Sequence, residues 1–429
     1  MTTKLAHFIQ NSPLCSTHEH LEYEQMYTEN PPDILRNLFH NYVPADLVTA
    51  GASLDAVDAL LDKDNPDIRG RFEGVKDAWD AVRHTGYGEA VQIIAKEIYG
   101  MDELTAQGLE TAQAKSAALG QPGERLRILR DVANLDHVQT DHMKRPVPVE
   151  TPGPDFFLYD INWANLCSGT PDLGTLADET GVAIFSLADL QDAMTATFAQ
   201  HAERAVAVKS QHAYSRTLRW QERTDEEAAK ALATWQRDPT AMTESERLCL
   251  GDWCWAKGVE LSIDYNLPFK IHTGYYAGHS RMPVDYIKSG HLCPLLAKYL
   301  DAKFVLMHIA YPYSEELIAL AKHYPNVSVD LCWAWSINPF STGDFIRRYI
   351  HAAPANKLFV FGGDTHLPAA TLAYSRQARN WFTRAMQAEV DEGLLTEAEA
   401  IALAERFMLK NQYAYFNLEE KKAILRDAT

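Results

Sequence analysis

The chain has 429 residues, 46% hydrophobic and 23% charged, enough to bury a substantial core as two or three domains or as one α/β barrel carrying an insertion. Its 58 acidic against 40 basic residues leave a formal net charge of −18, which argues against a general binder of nucleic acid or anionic membrane. There is no apolar run of about 18 residues to span a membrane, and MTTKLAHFIQNSPLC lacks the apolar core of a signal peptide. Cys15, Cys167, Cys249, Cys254, Cys293 and Cys332 are scattered in apolar or aromatic settings and read as reduced thiols of a cytoplasmic protein.

The first expected strand begins at Leu14 and runs into His18-Glu19-His20. Residues 31–130 then repeat apolar positions at three and four, as in PPDILRNLFHNYV, RFEGVKDAWDAVRHTGYGEAVQIIAKEIYG and GERLRILRDVAN, without a β-branched run. This predicts an inserted helical subdomain over 23–130, with 1–22 and 131–429 forming the rest. Strand-like apolar runs resume at 135–141, 155–162, 204–210, 267–274, 303–310, 326–331 and 357–364, and amphipathic segments of crossover length separate the later ones. With the first strand the count is eight, the number that closes a (β/α)8 TIM barrel. From Ala369 to about Phe416 the chain reads as a helical C-terminal extension, with Thr396 and Glu399 spaced as a capping box.

The strand ends carry the chemistry. His18 and His20 share one strand face, because side chains alternate with period two; Glu19 between them should point the other way. Lys209 ends the fourth strand, His272 the fifth, His308 the sixth and Asp364 the eighth. In such a barrel the C-terminal strand ends converge on one mouth, where imidazoles and a carboxylate suit one or two divalent metal ions. Mixed N/O ligands admit zinc, which we expect first, or manganese or iron.

This pattern resembles the amidohydrolase superfamily. FKIHTGY, FVLMHIAYP, NVSVDLCW and KLFVFGGDTHLPA look like its amidohydrolase-2 branch, and the helical insertion looks like that of uronate isomerase. The resemblance implies that His18, His20, His272 and Asp364 bind metal, and that Asp364, His308 and Lys209 are catalytic. His308 would serve in proton transfer or bind a second ion. Lys209 would be either a carboxylated bridge between two metals or an unmodified amine contacting substrate; the amine is the slightly favoured reading. At the mouth, Arg216, Tyr275, Arg281 and Trp335 are expected to bind substrate, with Tyr276, His279 and Trp333 nearby. Core packing is the alternative for the tryptophans, and a solvated charge or an ion pair for the arginines.

The resulting expectation is a hydrolase acting through metal-activated water on a small polar, carboxylated substrate. A sugar-acid isomerase, a decarboxylase or an inactive binding barrel are the alternatives. The expected partner is a small molecule rather than nucleic acid or membrane, and a homo-oligomer is compatible with the sequence.

Overall fold

A computed structural model describes residues 3–142 and 145–428. Its eight strands are β1 (Leu14–Glu19), β2 (Leu135–Thr140), β3 (Phe157–Asn162), β4 (Ala207–Ser210), β5 (Phe269–Ile271), β6 (Phe304–Leu306), β7 (Val327–Asp330) and β8 (Leu358–Phe359). They pair in parallel in sequence order. After β8 the chain returns to β1: Thr17 N donates to Phe361 O, Asp364 N to His18 O and His20 N to Thr365 O, each at 3.0 Å. The eight-stranded α/β barrel read from the apolar runs is therefore the fold. β8 is shorter than the apolar run 357–364 suggests because, beyond Phe359, the backbone pairs with β1 and with Trp333 N instead of continuing its ladder with β7.

Every strand residue is buried except Asp136, which is half-buried. Burial on both faces explains why the runs read as continuous rather than alternating. The interior is not wholly apolar. Lys270 Nζ, fully buried, donates to Thr17 O (2.7 Å), Gln139 Oε1 (2.7 Å) and both oxygens of Asp160 (2.9 and 2.8 Å). These partners satisfy an ammonium that would otherwise be prohibitive to bury.

The insertion after β1 is helical from Glu24 to Val132. Asp33, Ser53, Asp67, Thr85 and Thr105 cap successive helices by accepting a backbone N–H. Phe39 packs on Phe72 and Trp79 within this layer. The layer is tied to the helix Pro368–Asp391, where Gln377 Nε2 donates to Gly86 O (2.8 Å) and Glu89 Oε2 (2.7 Å). In the C-terminal extension the Thr396–Glu399 capping box is present. Among the described residues no helix is long and apolar enough to cross a membrane, and the six cysteines are unpaired.

Candidate metal centre

The ends of β1, β2, β4, β6 and β8 deliver polar side chains to one buried point. His18 Nε2 lies 3.4 Å from His20 Nε2 and 3.4 Å from Asp364 Oδ1, and His20 Nε2 is 3.1 Å from that same oxygen. Ligand atoms bound to one ion at about 2.0–2.2 Å stand about 3–3.5 Å apart, so this trio fits a divalent metal. The tautomers fit as well. His20 Nδ1 stands 2.7 Å from Asp141 Oδ1, a charge contact on the far side of the ring from the Nε2 that meets Asp364. His308 Nδ1 donates to Cys332 O at 2.8 Å; its Nε2 is buried without a hydrogen-bond partner, 3.8 Å from Asp364 Oδ2. His272 donates through Nε2 to Tyr275 O (3.0 Å), so its lone pair is on Nδ1, and its ring centroid is 4.3 Å from that of His308. Lys209 Nζ sits 3.0 Å from His18 Nε2 and 3.2 Å from Gln211 Oε1.

The carboxylates of Asp141 and Asp364 set the electrostatics of this point. Burial works against charge on His20, yet Asp141 and Asp364 outweigh it and push its pKa up to about 10. Burial also opposes the Asp364 carboxylate, but His20, His308 and His18 hold it well below the usual range. The other imidazoles are neutral: burial, with the Lys209 ammonium next, keeps His18 well down, and burial takes His308 to about 4. Without a metal, the proton on His20 lies between Asp141 and Asp364, with Lys209 Nζ beside His18; a divalent ion held there would take the place of that proton.

Backbone strain is concentrated here. Among the described residues nine non-glycine residues have positive φ, and five of them are at these strand ends: His308, Ile309, Ala310, Trp333 and Asp364. Left-handed backbone at a β-branched or aromatic residue is uncommon and clusters at functional sites. The glycines of FGGD have a separate reason. A Cβ on Gly363 would stand 2.6 Å from both Glu19 carboxylate oxygens, and that carboxylate accepts from Gly363 N (3.0 Å), Thr365 N (3.2 Å), Ser16 Oγ (2.6 Å) and Thr371 Oγ1 (3.2 Å). Glu19 does point away from the histidine pair, into the loop that carries Asp364.

A sequence profile of the Amidohydrolase family matches residues 173–405. The chain belongs to the amidohydrolase family. Among curated proteins, this amidohydrolase is 29% identical over 161 residues to protein fluG of Emericella nidulans, an alignment covering 36% of the present chain and 18% of that protein. In fold it is similar to the uronate isomerase of Thermotoga maritima (13% identity, TM-score 0.78, 96% of both chains) and the glucuronate isomerase of Caulobacter crescentus (18% identity, TM-score 0.76, 97% of this chain and 93% of that one). A Lactobacillus casei protein assigned as a metal-dependent hydrolase is similar at 17% identity and TM-score 0.65, over 98% and 99% of the two chains.

Two of the residues expected to bind substrate in this amidohydrolase are placed elsewhere. Arg216 is fully buried, and all five of its N–H donors are used: Nη2 on Asp252 (2.6 Å) and Arg219 O, Nη1 on Cys167 O and Leu248 O, Nε on Thr217 O. It is a structural ion pair, with no donor left for a ligand. Trp335 is likewise core, its Nε1 donating to Val360 O (2.8 Å) and its ring against Phe382. Arg281 is exposed in the loop after β5, and His279 bonds its neighbour Ser280. Tyr275 does reach the mouth, its ring 6.0 Å from that of Trp333. Trp333 is the tryptophan facing the site, its ring 5.5 Å from His308, 6.3 Å from His272 and 4.4 Å from Tyr42 of the insertion. The Tyr42 hydroxyl donates to Asp364 O, so the insertion closes over the centre. Sequence reasoning missed Asp141, although it follows directly on β2 as the other site residues follow their own strands.

Proposed function

We propose that this amidohydrolase is a cytoplasmic metal-dependent hydrolase acting on a small polar, carboxylated substrate, with zinc as its first-choice ion. The observation that carries this reading is the trio of His18 Nε2, His20 Nε2 and Asp364 Oδ1, mutually 3.1–3.4 Å apart beside the unpartnered Nε2 of His308. His18, His20 and Asp364 would hold the ion, with His272 offering Nδ1. Bound there, a divalent metal supplies Lewis acidity that polarises a carbonyl and acidifies water. Asp141, 2.7 Å from His20 Nδ1, would orient that ring with Nε2 inward. His308, neutral and fixed by Cys332 O, accepts and returns a proton at Nε2. Lys209, as an unmodified amine, presents its ammonium to a substrate oxygen. Tyr42 and Trp333 wall the centre from bulk water, which strengthens each of these contacts.

A sugar-acid isomerase is the second reading, favoured by the insertion that reaches Asp364 through Tyr42 and by the fold likeness to uronate and glucuronate isomerases. One assay separates the two. The metal-loaded protein is incubated with amides and esters of small carboxylic acids, and in parallel with uronates, and products are weighed by mass spectrometry. Hydrolysis adds the mass of one water, isomerisation changes no mass, and decarboxylation loses carbon dioxide. We expect water addition; turnover of uronates without mass change would replace this reading with the second.

A further inference from the structure

A cavity of about 310 Å3 opens beside the centre, between the segment that follows β1, the first helices of the insertion and the loop after Asp364. Its volume falls within the range of small-molecule sites, about 300–1,000 Å3. Two of its lining residues adjoin the candidate metal ligands in the chain. Glu22 is two residues past His20, and His366 two past Asp364, so each lies within about 7 Å of a ligand along the backbone. Arg36, from the helix Ile34–Phe39, supplies the guanidinium of this lining, and Glu22 and Glu29 supply carboxylates. Arg36 Nη2 lies 3.3 Å from His40 Nδ1, and His366 Nε2 lies 3.0 Å from that same atom. Through His40, Arg36 is tied to His366. Arg36 Nε and Glu22 Oε2 have no hydrogen-bond partner, and buried groups of this kind are normally matched.

A single anion would be drawn to Arg36 and repelled by both carboxylates. A single cation would meet the reverse. A group carrying both charges answers both walls. We propose that this cavity holds the α-amino acid head of the substrate, its carboxylate on Arg36 and its ammonium on Glu22, while the bond to be cleaved lies at the metal. The assignment rests on the metalloenzyme reading for its second half only. It also supplies the carboxylate-binding arginine that Arg216 cannot be.

The test is calorimetric titration of the full chain, metal-loaded and metal-stripped, with L-norvaline, pentanoate and butylamine, which share one skeleton and differ in charge. Norvaline is expected to bind about tenfold more tightly than either truncated compound, and Arg36→Met and Glu22→Gln should each lower its affinity about tenfold while metal content stays constant. Should Arg36→Met fail to fold, Glu22→Gln carries the test. Pentanoate binding as tightly as norvaline, no norvaline binding, or unchanged affinity in Glu22→Gln would overturn the assignment. A protein that binds norvaline in the expected pattern yet hydrolyses no amide or ester supports the cavity assignment and contradicts the proposed reaction.

Discussion

The barrel carries two clusters of metal-ligand chemistry, one at each end, and they are built differently. At the N-terminal end Cys15, Asp136 and His137 bring a thiol, a carboxylate and an imidazole within 4.8 Å of one another. There the polar groups have partners: His137 Nδ1 donates to Asp136 (2.7 Å), its Nε2 accepts from Gln139 (3.2 Å), and Asp136 takes further bonds from Lys422 (2.7 Å) and Tyr413 (3.0 Å). Burial raises the Cys15 thiol and lowers His137 to about 4, so both stay neutral. At the C-terminal end His18 Nε2, His20 Nε2 and Asp364 Oδ1 converge within 3.4 Å of one another, and His308 Nε2 has no hydrogen-bond partner. The same residue types make a strut below and a candidate coordination site above. What distinguishes them is whether each donor has already met its acceptor.

The two ends are joined through the interior. Asp160 stands 3.7 Å from His18 Nδ1 and binds Lys270; Lys270 binds Gln139, which touches His137. Lys270→Met should have the largest effect on stability, about 3–5 kcal/mol, because it strands a buried carboxylate. The check is chemical denaturation. A loss below about 1 kcal/mol would show that the column does not couple the ends. Asp141→Asn is the next step down. It leaves His20 without the carboxylate beside its Nδ1, so metal affinity should fall about 10–100-fold with the melting temperature nearly unchanged. Competition with a chelator measures this.

The smallest expected effect lies in the lower cluster. Burial opposes the Asp136 carboxylate, but His137 and Lys422 outweigh it and hold its pKa below the ordinary range. A carboxylate held down in the folded state adds stability that is present above its unfolded pKa, about 4, and is lost as pH falls toward the folded value. Asp136→Asn should therefore cost about 1–2 kcal/mol at pH 7 and progressively less below about pH 4, with metal content unchanged throughout. A cost independent of pH would remove the ion pair from the account of this end.

Much of the upper end was legible in the sequence, because strand-end position is a backbone property that apolar runs reveal. His18, His20, His308 and Asp364 follow from where three runs stop. The side-chain partners were not legible. Arg216 finds Asp252 across 36 residues of chain, and nothing local distinguishes that arginine from one awaiting a ligand. Lys270 and Asp160 were hidden inside runs read as apolar. Glu19 points away as alternation requires, but it holds the Asp364 loop through Gly363 N and Thr365 N, so Glu19→Gln should disturb the site rather than leave it untouched. Trp333 and Trp335 stand two apart, and Trp333, with its left-handed φ, is the one whose ring meets His308 and His272.

Metal content by elemental analysis of wild type, His20→Asn and His137→Asn, purified side by side after growth with zinc and manganese, tests the contrast between the two ends most directly. Both substitutions exchange a histidine for an amide of comparable polarity, so any difference between them reports on the site. The account predicts one or two equivalents in wild type, little or none in folded His20→Asn, and wild-type content in folded His137→Asn. Full metal in His20→Asn, or loss of metal in His137→Asn, would contradict it.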